Sequence, residues 1–286
     1  MRGAAVRTRP IVGAKRPRGL LRHLFLLAGV VVSLFPFYWM IVMATNTTSA
    51  IYRYPPTLTI GSELWTNIAH VFEKIPFFAA MGNTIVVAVS TTVLVLFFDS
   101  LAAFTFAKFE FPGRRALFGL LIAMFMLPAQ LSLIPQFLVM VQFGWAGQLQ
   151  ALIVPAAANA FGIFWMRQYI TGAVPDELLD AARLDGCGFF RQYWHVALPV
   201  IRPGLAFLGI YTFIMAWNDY VWPLIVLVDP DRLTLQVALS QLNRSYGQDY
   251  SMIMAGALLS VLPLVIMFTV FARGFIADAV KGAVRG

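Results

Sequence analysis

The sequence predicts an all-α polytopic membrane protein of six transmembrane helices with both termini in the cytoplasm. Three observations carry this. The 286 residues are 60% hydrophobic and only 12% charged, about half the charge of an ordinary soluble domain. The apolar residues gather into six runs, at 24–44, 77–107, 117–141, 149–170, 203–222 and 251–272, each matching the roughly 20 residues that cross a hydrocarbon core. The basic residues alternate from loop to loop. Residues 1–23 carry seven Lys or Arg, the 108–116 loop three, the 167–202 loop four and the C-terminal tail three, while the intervening loops hold only Arg53, Lys74, Arg232 and Arg244. Seventeen against four assigns the basic side, and with it both termini, to the cytoplasm. A missed span would scramble that alternation.

In chain order, 1–23 reads as a basic, disordered cytoplasmic segment. The first run is too long for the apolar core of a signal peptide, and no small-x-small cleavage site follows it. The second run is longer than a crossing needs, so part of it is expected to lie along the interface or to project outside. The loops at 45–76, with Tyr54-Pro55-Pro56 and Trp65, and at 223–250, with Asp229-Pro230-Asp231, are long enough to touch an extracellular partner; simple connection is the equal alternative. Residues 24–272 form one domain that includes the cytoplasmic loop 171–202, and 273–286 is a cytoplasmic tail.

Several function classes drop out. The net charge of +8 belongs to span flanks, not to a stripe shared with aromatics, so nucleic acid is not an expected partner. Cys187 stands alone, which excludes an intrachain disulfide. His23, His70 and His195 are too far apart in sequence to suggest a metal site. The four lysines follow Ala14, Glu73, Ala107 and Val280. None follows a glycine, so the chain has no phosphate-cradling P-loop. Neither Gly-x-Ser-x-Gly nor His-Glu-x-x-His occurs. No enzyme activity and no cofactor are expected of this chain.

The polar stretch before the fifth run is the informative one. Pro175 can open a helix, and Asp176 and Glu177 suit the positive end of its dipole. Leu178, Ala181 and Ala182 place apolar surface at helical spacing, the alanines small enough for close approach. Asp180 can pair with Arg183 at i, i+3, and Gly186, after Asp185, can end the helix in a left-handed conformation. A second short helix over 189–196 is expected to stop before Leu198-Pro199. A headgroup-layer helix would carry Lys or Arg on its polar face. This one carries Asp176, Glu177, Asp180 and Asp185 against one Arg183, which favours a protein docking surface.

Asp180-Ala181-Ala182, Gly186 and Val196-Ala197-Leu198-Pro199 closely resemble the EAA loop of binding-protein-dependent ABC transporter permeases. Asp180 stands for the usual Glu, one methylene shorter, and Val196 for the usual Ile. Further matches are Phe35-Pro36-Phe37-Tyr38-Trp39-Met40, Asn83-Thr84, Phe111-Pro112-Gly113-Arg114-Arg115, Pro128 with Gln130, Trp217-Asn218-Asp219 and Lys281-Gly282-Ala283-Val284. They resemble the carbohydrate-uptake branch, which includes the six-span subunit of the maltose transporter. The resemblance implies a type I ABC importer permease fold in the bacterial cytoplasmic membrane. It also implies a second, homologous permease, two ATP-binding cassette subunits that hold ATP and Mg, and an extracytoplasmic sugar-binding protein. In that family the EAA helix sits in a cleft of the ATPase, so Glu177, Asp180, Ala181, Ala182, Arg183, Asp185, Gly186, Leu198 and Pro199 are the expected coupling residues.

Ionisable groups at membrane depth are costly and usually functional. Trp217, Asn218 and Asp219 put a ring beside an amide and a carboxylate, which suits a sugar's apolar face and hydroxyls. An interfacial Asp219 with Asn218 bonded to a neighbouring helix is an equal reading. Asp99 favours helix–helix contact over substrate contact, and Asn83 and Gln130 read as interhelical hydrogen bonds first. The competing class is an ion-coupled secondary transporter, which should show an internal repeat and helices interrupted at mid-membrane; no clear repeat is visible. A membrane-embedded enzyme should cluster His, Asp or Glu near a membrane face, and no such cluster is present.

Overall fold

The computed structural model describes residues 18–245 and 249–283. The expected disorder of residues 1–17, and the tail residues 284–286, lie outside the described residues. Among the described residues every regular element is helical.

The first helix, α1 (Arg18–Thr45), begins ahead of its expected span, so 18–23 is helix and not disordered as expected. The first long connection then folds into α2 (Thr48–Ile51) and α3 (Leu64–Lys74). Its signal is plain in retrospect: Leu64, Ile68 and Val71 recur at helical spacing and pack against the core. The unbroken α4 (Phe77–Lys108) has 32 residues. At about 1.5 Å per residue it is longer than the roughly 30 Å hydrocarbon core, so it projects beyond it.

The third expected span is bent. It consists of α5 (Arg114–Phe125), a 3-10 turn (Ala129–Ser132) and α6 (Leu133–Gln142), and the two halves lie at 95°. Pro128 explains the break: it lacks an N–H and pushes Leu127 out of the helical region. The fourth expected span, 149–170, is not continuous. It is α7 (Gln150–Ile153), a non-helical stretch at 154–159, and α8 (Ala160–Ala173). Val154 keeps helical dihedrals (φ −68, ψ −45), and Pro155, which has no N–H to donate, is where the helical ladder stops. Asn159 then caps α8, its side chain accepting the Gly162 N–H at 2.8 Å.

The polar stretch gives α9 (Asp176–Leu184) and α10 (Phe189–Arg191), followed by a π-helical turn (Gln192–Ala197) that feeds directly into α11 (Leu198–Asn218). The expected stop before Pro199 is therefore overturned, and Phe189–Asn218 is one rod. The wider π turn loosens the backbone where a proline would otherwise meet the carbonyl one turn back. Beyond α11 come α12 (Val221–Val226), a 3-10 turn (Pro230–Arg232), α13 (Leu235–Ser245) and α14 (Tyr250–Ala283).

Four of these helices are long and apolar enough to cross a membrane, and the bent α5–α6 pair makes a fifth candidate. The 14 residues of α8 reach only about 21 Å. α4 is the axis, with α8 and α11 along it, and α1 lies against α14 and α3. α8 and α11 meet closely at Gly204, where a Cβ would stand 2.7–3.0 Å from the Tyr169 ring.

Two apolar cores occupy opposite ends. One holds Val71, Trp217, Trp222, Leu235 and Leu242, the other Phe104, Met166, Leu179, Tyr193 and Ile201. Loops that the charge pattern assigns to one side of the membrane meet in space. Lys108 pairs with Asp176 at one end. Thr48 donates to Asp249, and Asn83 to the carbonyls of Asp231 and Leu233, at the other.

Candidate functional site

At one end the α9 loop is built as a rigid projection. Pro175 stands just ahead of the first turn, Asp176 and Glu177 lie in it, and Arg183 is in the last, each charge matched to the helix dipole. Gly186 adopts φ +75. The Gly186 N–H donates to the Arg183 carbonyl at 3.0 Å and the Cys187 N–H to the Ala182 carbonyl at 2.8 Å, which is the Schellman termination. A Cβ on Gly186 would meet nothing within 4 Å, so its requirement is conformational.

Several contacts fasten this loop to α4. Leu179 is buried with Phe104, Ile170 and Val174. Asp176 accepts from Lys108 at 2.7 Å, and that hydrogen bond and charge hold the Asp176 carboxyl below its usual range. The Arg183 guanidinium lies 5.7 Å from the Phe109 ring centre and donates to Asp180 at 2.9 Å. Ser100 on α4 and the Tyr193 hydroxyl on the π turn share a buried 2.7 Å hydrogen bond.

The expected apolar face needs one correction. Ala182 is buried inward, so it does not share a face with Ala181. What faces out is Leu178, Ala181 and Leu184, at i, i+3 and i+6, with Leu184 90% exposed. Glu177 and Asp185 flank this strip and have no ion pair among the described residues. Leu198 and the exposed Pro199 belong to the first turn of the α11 rod, not to a separate loop helix.

The second feature is a cavity of about 590 Å³ walled by α4, α11, α12 and the broken α7–α8 segment. Asn218 and Asp219 line it. So do Asn159, Phe161, Tyr211 and Thr212, which sequence reasoning missed. Spacing could have found part of this set, because Tyr211, Met215 and Asn218 fall on one helical face. Asn159 was visible only as an amide inside an apolar run. The half-buried Asp219 directly follows the last residue of α11, and the Asn218 amide donates to the Ile214 carbonyl at 2.8 Å. The buried hydroxyls of Thr91 and Thr234, also on this wall, have no hydrogen-bond partner among the described residues.

The remaining expected path residues lie elsewhere. Trp217 is 1% exposed and its indole N–H donates to the Ser260 carbonyl at 3.2 Å, so it is core and offers no stacking face. Asn83 ties α4 to the 231–233 segment. Gln130 is exposed in the turn between α5 and α6. Asp99 is fully buried behind the cavity wall. One of its oxygens accepts the Asn159 N–H at 3.1 Å. The other occupies the space of the missing Gly162 side chain, where a Cβ would lie 1.9 Å away. Asp99 therefore holds the start of α8, and with it the placement of Asn159 and Phe161. Among the described residues no cluster of His, Cys, Asp or Glu could hold a metal.

Comparison with known proteins gives a consistent result. Residues 99–278, more than half the chain, match the family described as binding-protein-dependent transport system inner membrane component. The chain is 33% identical over 271 residues to the lactose transport system permease protein LacG of Rhizobium radiobacter, covering 95% of this chain and 98% of that one. It is 31% identical over 258 residues to the arabinooligosaccharides transport system permease protein AraQ of Halalkalibacterium halodurans, covering 89% and 92%. It is 31% identical over 274 residues to the sn-glycerol-3-phosphate transport system permease protein UgpE of Yersinia enterocolitica, covering 93% and 97%. The fold matches a chain in the crystal structure of a bacterial ABC transporter that imports the acidic polysaccharide alginate, with TM-score 0.77 and 23% identity over 94% of this chain and 100% of that one.

Two predictions follow from the geometry. Asp99→Leu strands the partly buried Asn159 N–H, a loss of about 1 kcal/mol, the low end of the range for an unsatisfied donor. It should lower the thermal midpoint of the detergent-solubilised protein by several degrees, while Asp99→Asn, which keeps an acceptor oxygen, should not; equal midpoints for the two would remove the capping role. The Lys108–Asp176 tie lowers the carboxyl pKa in the folded state. Its contribution is therefore present above the usual carboxylate pKa and is lost as pH falls through the lowered value. Proteolytic cleavage near α9 should rise only under such acid conditions, and Lys108→Met should show the raised cleavage already at neutral pH.

Proposed function

The chain belongs to the family of binding-protein-dependent transport system inner membrane components, a family of transport subunits and not of enzymes, and from that premise we propose that it is one permease half of an ATP-driven importer of a sugar or sugar derivative. It is a multi-pass protein of the cytoplasmic membrane. The two arms of the bent α5–α6 pair make one crossing and the α7–α8 segment completes a sixth, with both termini inside as the charge asymmetry argues. A second homologous permease supplies the other half of the path. Two separate cassette subunits bind ATP and Mg, since this chain has no P-loop. A sugar-binding protein delivers the substrate from outside; one related complex was crystallised with alginate pentasaccharide-bound periplasmic protein.

The observation that carries the reading is the outward strip of Leu178, Ala181 and Leu184 on a helix fastened to α4. An exposed apolar strip at the end of a rigid element suits a protein cleft. Pushing on α9 moves α4 and the π turn together, because Ser100, Tyr193, Lys108 and Asp176 join them. Closure of the ATPase pair would thus be transmitted to the walls of the cavity. The interrupted α7–α8 span alone would suit an ion-coupled transporter; similarity to transport-system permeases over nearly the whole chain outweighs it.

Leu184→Asp tests the docking role. It should leave membrane insertion intact and weaken ATPase association about thirtyfold, the effect of losing an anchor worth about 2 kcal/mol, measured by co-purification at graded ATPase concentration. Undiminished association with undiminished sugar uptake would remove α9 from the coupling.

A further inference from the structure

The geometry points to the Asp219 cavity as a transit site for uncharged sugars that excludes anionic ones, an inference that rests on the importer reading above. The cavity, about 590 Å³, falls in the range of small-ligand sites. Among the described residues its polar lining consists of amides, hydroxyls and one carboxylate, with no Lys or Arg. The nearest cation in sequence, Arg232, lies outside the lining and faces Asp229 at 3.5 Å.

Asp219 directly follows the last residue of α11 and lines the cavity. A sugar hydroxyl can donate to its carboxylate in a charge-assisted hydrogen bond. Asn218 and Asn159 offer acceptors and donors on the same walls. The rings of Phe161 and Tyr211, 4.7 Å apart between centres, present an apolar surface for the carbon face of a pyranose. A phosphate or uronate finds the opposite: its charge would lie beside a carboxylate, with no cation among the described lining residues to offset either.

The test uses the assembled importer, with its partner permease, ATPase and binding protein, in proteoliposomes. Radiolabelled lactose, maltose and arabinotriose are the neutral probes; glycerol 3-phosphate and galacturonate are the anionic ones. ATP-driven uptake should be confined to neutral probes. Asp219→Asn, which removes the charge and keeps the side-chain shape, should lower that uptake about tenfold while the complex still co-purifies intact. Asp219→Glu, which restores the charge, should recover most of it. Uptake of the anionic probes by the wild type, or unchanged uptake in Asp219→Asn, overturns the proposal and leaves the importer standing. No ATP-driven uptake of any probe overturns both.

Discussion

Everything in this structure answers to one constraint: inside a bilayer every backbone N–H and C=O needs a partner supplied by the protein. α4 meets it with uninterrupted helix, and α11 and α14 do so except where Pro203 and Pro263 lack an N–H. The 154–159 stretch cannot, and it survives only in special surroundings. Asp99 takes the Asn159 N–H, and the Asn159 side chain takes the Gly162 N–H. Trp222 donates to the Ala151 carbonyl at 3.0 Å. Ala156 and Asn159 of the same segment face the cavity. A broken span, its carboxylate support and a polar cavity are thus one feature. One oxygen of the carboxylate supplies the acceptor that the missing turn would have given Asn159, while the other has no partner among the described residues.

α4 connects that feature to both ends of the molecule. Near its start, Asn83 holds the carbonyls of Asp231 and Leu233, and Thr84 accepts the Leu235 N–H at 2.8 Å. At mid-length Thr91 lines the cavity and Asp99 supports α8. Ser100, next to Asp99, meets Tyr193, and at the far end Lys108 meets Asp176. One unbroken helix therefore touches the segment before α13, the cavity and the exposed α9 strip. Rigid-body transmission needs such continuity, and interrupted helices on either side give the remaining walls somewhere to bend.

Much of this was legible in the sequence. The helical class, the ends of α4 and the termination of α9 at Gly186 follow from apolar runs and from the turn chemistry of glycine. What was not legible depended on three-dimensional neighbours. Composition shows an apolar run at 149–170 and hides the break, because Asn159 becomes a cap only when Asp99 sits behind it. Pro199 reads as a helix stop, yet the π turn before it lets the rod continue. Trp217 beside Asn218 looked like a sugar platform. Successive helical residues point about 100° apart, however, so one ring went into the core while the amide stayed on the cavity wall. Ala181 and Ala182 separated for the same reason.

The central claim is that this chain acts as one half of a membrane path driven by an ATPase that docks at α9. Affinity capture of the tagged chain from solubilised membranes, with partners identified by mass spectrometry, tests it most directly. The account predicts recovery of a second homologous permease and of a subunit carrying a Gly-Lys-Ser/Thr phosphate loop. Recovery of the chain alone, still moving sugar into liposomes in the absence of ATP, would contradict it.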